Sequence, residues 1–349
     1  MTGNGYSVND VTIAVLNYNG ISKISDLFAS TRKLNHAPAE IIMVDDGSTD
    51  DSVAWVKQHY PEVRVISRGK NSGGILNIVR NNALSAAKTD LVFIVDNDVV
   101  LYPDCLDQAL DAMNTLPGAV ACMPRAVYEG DTEKIYQDGQ ILHYVGASPN
   151  INRDKNIADA GTEPSVSIGW GVQLINRKLT EKFGWFNESF LLGWGDDGEF
   201  NHKLNLAGLK CYNVPLSVVI HKRDVASNRY LAAVTNRWRF ILEMYAMKTL
   251  LLTIPALLLY EAAVFMFLVT NGAIGEYFKG VKLVAMDFGS IRKSRKRIQL
   301  SRKVPDKELM GGGELFVYEE EMSSRFLFYG HKVLSSILEG YWWLIRRFL

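Results

Sequence analysis

Asp96-Asn97-Asp98 sets two carboxylates one residue apart, directly after the apolar run Leu91-Val-Phe-Ile-Val95. Carboxylate oxygens are the hard ligands that Mg2+ and Mn2+ prefer, and such ions readily share their coordination with a diphosphate. An Asx-rich turn capping the next helix would look similar, although Pro103-Asp104 offers that helix a separate start. A second acidic cluster, Val44-Asp45-Asp46-Gly47-Ser48-Thr49-Asp50, also follows an apolar run. Asp50 or Ser48 can cap a helix and Gly47 can turn, but capping does not use both adjacent carboxylates. One of them could accept a pyrimidine N–H or a ribose hydroxyl. The third cluster, Leu192-Gly193-Trp194-Gly195-Asp196-Asp197-Gly198-Glu199, crowds three acids beside an indole. Desolvation there can raise a carboxyl pKa toward that of a useful base. The helix macrodipole accounts for one acid better than for three. Last, His221 ends the apolar stretch Tyr212–Ile220 and falls at a sheet rim, where metal sites form. A lone histidine is more often structural, and His36, His59, His143, His202 and His331 are read that way.

These groups need elements to carry them. Val11–Leu16, Ile41–Val44 and Leu91–Val95 are continuous apolar runs, as strands buried on both faces require. Helix-like stretches at 50–59 and 75–87 lie between them, and 201–207 reads as another. Strand-helix alternation predicts an α/β fold with a mostly parallel sheet flanked by helices. Ligands of such sheets bind beyond the carboxyl ends of the strands, where the polar clusters that close these three runs (Asn17–Gly20, Asp45–Ser48 and Asp96–Asp98) fall.

The four clusters, in this order, resemble the family 2 type of inverting, GT-A-fold glycosyltransferases. The likeness is narrower still to its rhamnosyltransferase-like, cell-surface-polysaccharide branch. It rests on Val11-Thr-Ile-Ala-Val-Leu-Asn-Tyr-Asn19, Val44–Asp50, Leu91–Asp98, Phe183-Gly-Trp-Phe-Asn-Glu-Ser-Phe190, Asp196-Asp197 and His221. The resemblance implies a Rossmann-like nucleotide-diphospho-sugar transferase domain over residues 1–228. It implies donor contacts from Leu16, Tyr18, Asn19, Asp46, Asn71, Gly73, Arg80, Asn81, Asp96 and Asn97, with Asp46 on the base. It assigns metal ligation (Mn2+ or Mg2+) to Asp98 and His221, and the general base to Asp197. Gly169, Trp170, Gly171, Trp194 and Asp196 are expected at the acceptor. Two departures stand out: Asn187 replaces the usual aspartate, and the gap between Gly74 and Arg80-Asn81 is one residue longer than the family's usual form. Residues 124–167 match no motif and are expected to help choose the acceptor.

The expected reaction is sugar transfer from a UDP- or dTDP-sugar to a hydroxyl of a lipid-linked or cell-surface glycan. A nucleotidyltransferase would need an arginine-rich phosphate loop after the first strand, and no arginine precedes Arg32. A non-catalytic sugar-binding scaffold would not need Asp98, Asp197 and His221 together. With 38 basic and 38 acidic residues, whole-chain charge offers no argument for nucleic acid. Three scattered cysteines suit a reducing cytoplasm, and Met1–Asp10 lacks a signal-peptide layout. Residues 229–349 are expected to form a helical region at the cytoplasmic membrane surface. Thr249–Val269 approaches the roughly 20 residues a bilayer crossing needs, yet it contains Pro255, expected to kink it, and Glu261, costly in hydrocarbon. A basic run, Arg292–Arg297, follows and would share the cytoplasmic side with the donor site. An in-plane or re-entrant segment meets these demands, with Trp342, Trp343, Arg346 and Arg347 at the interface. A soluble helical subdomain or a homo-oligomer interface is the alternative.

Overall fold

The computed structural model describes residues 5–222, 229–315 and 325–349. The first four strands, β1 (Val11–Asn17), β2 (Glu40–Asp45), β3 (Arg64–Ser67) and β4 (Leu91–Asp96), alternate with α1 (Ile24–Thr31), α2 (Ser52–His59) and α3 (Leu76–Ala86). They pair in parallel in the order β3-β2-β1-β4. Every residue of β1 is buried, because helices cover both faces of the strand.

The chain continues through β5 (Val99–Leu101), α4 (Cys105–Thr115), β6 (Ala119–Tyr128), β7 (Ile135–Gln137), β8 (Leu142–His143) and β9 (Ser165–Val166). Then come β10 (Gln173–Asn176), α5 (Arg177–Glu181), α6 (Gly198–Leu206) and β11 (Lys210–His221). β10 inserts antiparallel between β4 and β6, and β11 runs parallel to β6. β5 closes the edge antiparallel to β11. The sheet is mostly parallel, as the apolar runs imply, with β10 as a reversal they do not announce. Helix α6 starts earlier than the expected residue 201, because Asp197 is its N-cap and accepts the Gly198 N–H at 2.7 Å. All three cysteines are buried and unbridged.

The remaining elements are α7 (Tyr230–Met244), α8 (Met247–Thr270), α9 (Ile274–Met286), α10 (Phe288–Ser301), α11 (Asp306–Leu309), β12 (Met310–Gly311) and α12 (Arg325–Ile345). Residue 228, where the sequence places a boundary, lies outside the described residues. On either side of it one apolar core is shared: Tyr144, Phe190 and Leu206 pack with Phe240, Leu257 and Trp342. β12 also pairs with β8. Helix α8 runs through Pro255 as one assigned helix. Its Glu261 turns inward, accepting from Trp238 Nε1 at 3.0 Å and pairing with Arg237. That orientation leaves Leu251, Ile254, Leu258 and Met266 exposed on the other side.

Candidate active site

Three strand ends are tied together by one buried amide, Asn17. Its Nδ2 donates to Asp45 Oδ1 and Ser52 Oγ, each at 3.0 Å, and its Oδ1 accepts from Asn97 Nδ2 at 3.0 Å. Leu16 is buried just before it, while Tyr18 is exposed just after it. Asn19 takes a left-handed φ of 48° and accepts the Thr49 N–H at 2.8 Å, which fastens the β1 loop to the β2 loop. Gly47 is required twice over: φ is 76°, and a Cβ would stand 2.8 Å from Asn71 N. This close approach lays residues 68–72 over Asp46. The Asp46 carboxylate accepts from Asn71 Nδ2 at 3.2 Å and Ser72 Oγ at 2.7 Å, and it pairs with Arg68. Asn71 and Asp46 are thus neighbours, with Gly73 one turn on at φ 69°.

β5 brings Asp98 to His221. Val99 pairs with His221 across the ladder, and the Lys222 N–H donates to the Asp98 carbonyl at 2.8 Å. Asp98 Oδ1 then lies 3.8 Å from His221 Nε2, and Lys23 Nζ stands 4.0 Å from Oδ2. One carboxylate oxygen and one imidazole nitrogen at this spacing are of the types that could contribute ligands to a divalent cation. Among the described residues no group of three or more His, Cys, Asp or Glu side chains could hold an ion unaided.

Asp96 and Arg80 join that pair to the third acidic cluster, Asp196-Asp197. Arg80 is 3% exposed and donates through Nη1 to Asp196 Oδ2 at 2.7 Å and Asn77 Oδ1 at 2.8 Å. Burial alone would lower its pKa, but Asp196, Asp197 and Asp96 together hold it above the ordinary value. Burial, opposed by Arg80 and reinforced by Asp98, holds Asp96 above the usual carboxylate range. Asp197 is pushed up to about 7, first by burial and then by Asp196, against Arg80 and the Gly198 N–H. Asp196 stays engaged by Arg80 and by the Gly193 N–H at 3.2 Å. Two adjacent acids therefore sit in different surroundings: Asp196 is anchored by Arg80, while the Asp197 carboxyl is poised near neutrality.

Arg80 and Asn81, both expected at the donor, are held by this packing. Arg80 turns inward to the acids, and Asn81 spends its amide on Phe186, donating to the carbonyl at 2.9 Å and accepting the N–H at 3.0 Å. Gly171 is explained by Arg80, whose guanidinium occupies the space a Cβ would need; Gly169 stands likewise against Gln140. Trp170 sets its indole edge-on to His221, with ring centroids 6.1 Å apart. Trp194, expected at the acceptor, packs edge to face on Phe240 at 5.5 Å. A cavity of about 640 Å³ lies elsewhere, lined by Asn81, Trp185, Glu188, Lys203 and Arg297, and none of Asp98, Asp197 or His221 borders it.

Sequence reasoning passed over three residues of this region. Buried Asn77 donates to the backbone carbonyls of Asn187 at 2.9 Å and Asp196 at 2.8 Å, pinning both loops to α3. Its signal was available: an asparagine on the buried face of a helix needs partners. Lys203 meets the buried Glu199 at 3.2 Å, an i,i+4 pair that removes Glu199 from the list of open acids. Tyr136 stacks on His221, and no local pattern points to it.

The model of the Glycosyl transferase family 2 family matches residues 12–183. An N-acetylglucosaminyl-diphospho-decaprenol L-rhamnosyltransferase of Mycobacterium tuberculosis is 23% identical over 246 residues, covering 62% of this chain and 77% of its own. The O-antigen chain rhamnosyltransferase WbaN of Salmonella anatum is 25% identical over 185 residues, 52% of this chain and 56% of its own. Among solved structures, GalNAc-T7 with UDP, GalNAc and Mn2+ superposes with a TM-score of 0.54 at 18% identity. That match covers 66% of this chain, which spans about half (48%) of the solved one. With that fold and these relatives, the chain belongs to glycosyl transferase family 2 and is a sugar-transferring enzyme of GT-A architecture.

Proposed function

We propose that this enzyme moves a sugar from a UDP- or dTDP-sugar onto a hydroxyl of a lipid-linked or cell-surface glycan, with inversion at the anomeric carbon. The observation that carries the reading is one convergence at the strand ends: Asp98 with His221 at 3.8 Å, bridged by Asp96 and Arg80 to Asp196 and Asp197. Asp98 and His221 would hold Mn2+ or Mg2+, which when bound offsets the charge of a departing nucleoside diphosphate. Asp197, its pKa near 7, takes the proton of the attacking hydroxyl. Asp196 and Arg80 keep that carboxyl in place, and the buried Arg80 cation limits how far its pKa can climb. Attack from the face opposite the leaving group needs no covalent intermediate. Asp46 and Asn71, beside the β1–β2 strand ends, are the donor-base candidates, and Trp170 is the ring available to the acceptor sugar.

Residues 1–228 form the catalytic region in this reading, and 229–349 face the membrane from the cytoplasm. Support comes from α8, which is long and apolar enough to cross a bilayer while only 22% of its most apolar window is buried. Its one acid is directed into the protein, so its outward face suits an in-plane position. The diphospho-decaprenol substrate named for the mycobacterial relative supports a lipid-linked acceptor here.

The test is to incubate the purified chain with a panel of UDP- and dTDP-sugars and a polyprenyl-diphosphate-linked sugar, with Mn2+, Mg2+ or a chelator. Metal-dependent nucleoside diphosphate release, with a product of inverted anomeric configuration, is expected. Turnover unaffected by chelation, or a retained configuration, sinks the mechanism.

A further inference from the structure

We infer that Tyr136 is a positioning residue for His221, holding the imidazole in the orientation that turns Nε2 toward Asp98; this rests on the metal-assisted reading above. The geometry begins with the sheet. Val127 of β6 pairs with Ile220 on one edge and with Ile135 on the other, so β6 lies between β7 and β11. Tyr136 therefore reaches across β6 and lays its ring flat on His221, with centroids 4.6 Å apart and planes 5° from parallel.

A histidine ring needs such a contact. Its terminal torsion is broad and roughly two-fold, so the backbone alone does not choose which way Nε2 points. Ligand histidines are commonly oriented by an outer partner, and here that partner is a ring face. Trp170 closes on the imidazole edge-on, so rotation is blocked from two directions.

Tyr136 is itself held. Two residues on, Asp138 is buried and accepts from Arg125 at 3.0 and 2.8 Å, from Asn152 at 2.8 Å and from Asn213 at 2.9 Å. That cluster fastens the inserted segment to β6 and β11 at once. The Arg153 guanidinium also lies over the Tyr136 ring, 4.9 Å from its centroid. With His221 and Arg153 both on it, the ring is engaged within the protein, which favours a role toward His221.

The experiment compares the full chain with Tyr136→Phe, Tyr136→Leu and His221→Ala. Mn2+ binding in the presence of UDP is read from loss of the free Mn2+ EPR signal, and folding from thermal melting. Tyr136→Leu should weaken Mn2+ binding by about tenfold, while Tyr136→Phe stays within about twofold of wild type. Metal-free UDP affinity should not change in either. Wild-type Mn2+ affinity in Tyr136→Leu, alongside a loss in His221→Ala, overturns the positioning role and leaves the metal reading standing. Unchanged affinity in His221→Ala removes both. Should Tyr136→Leu fail to fold, NMR of wild type and Tyr136→Phe decides: the His221 ring protons must be shifted upfield in both, and unshifted protons overturn the inference.

Discussion

Asn187 Nδ2 donates to Glu243 Oε2 at 3.3 Å, tying the loop ahead of Asp196 and Asp197 to helix α7. Glu243 is fully buried and also accepts from Ser294 Oγ at 2.8 Å and Arg239 Nη1 at 3.2 Å. Burial, and then nearby Glu199, push its pKa up to about 7. The aspartate usual at position 187 in the resembling family would set another carboxylate into this cluster. Asparagine keeps the loop geometry, with Oδ1 accepting the Ser189 N–H at 3.0 Å, and supplies a donor where an acid would repel.

Asn187→Asp is therefore expected to destabilise the fold by about 1–3 kcal/mol at pH 8. The sign follows from Glu243, whose folded pKa stands above its unfolded value of 4.5. Ionising it in the folded protein costs stability, a cost that grows as pH rises from the unfolded pKa to the folded one. Below about 7 Glu243 is protonated and can donate to the new carboxylate, so the deficit should shrink toward pH 6. Urea denaturation at both pH values checks this. An equal deficit at both, unrelieved by adding Glu243→Gln, would show that the two side chains are not coupled.

Asp197→Asn should lower kcat by roughly 10²–10⁴-fold while UDP affinity stays within about twofold. Because Asp197 must be unprotonated to act, wild-type kcat/KM should fall as pH drops below about 7. A pH–rate profile with saturating metal tests both statements. Undiminished turnover in the variant removes Asp197 from the chemistry.

The outward faces of α8 and α12 predict binding to anionic vesicles. Leu258 and Trp343 are 64% and 66% exposed, and Arg292, Lys293, Lys296 and Arg297 are exposed on α10. Replacing Leu258 and Trp343 together by Glu should abolish flotation with vesicles while leaving hydrolysis of the donor intact, since neither residue borders the acidic clusters. Wild-type chain that stays in the soluble fraction at low salt without detergent would fail the prediction.

Much of the site was legible because its signals are local. β1, β2 and β4 announce themselves as continuous apolar runs, and polar residues that end such runs must stand at the carboxyl edge of a parallel sheet. β10 was not legible, since Gln173–Asn176 is four residues long and its reversal depends on both neighbours in the sheet. The partner of Arg80 was not legible for a similar reason. A helix-borne arginine reads as a ligand group until the fold supplies Asp196, which burial then makes its obligatory partner.

By itself the sequence determined the α/β layering, the carboxylate pairs at the strand ends and the apolar helix near the C-terminus. Each of these is a matter of which residue types lie within a few positions of one another. Tertiary structure alone decided which acid is anchored and which is poised, that Glu261 faces Arg237 rather than lipid, and that Tyr136 lies on His221. Those outcomes depend on desolvation and on charges brought together from distant positions, and neither exists until the chain has closed around them.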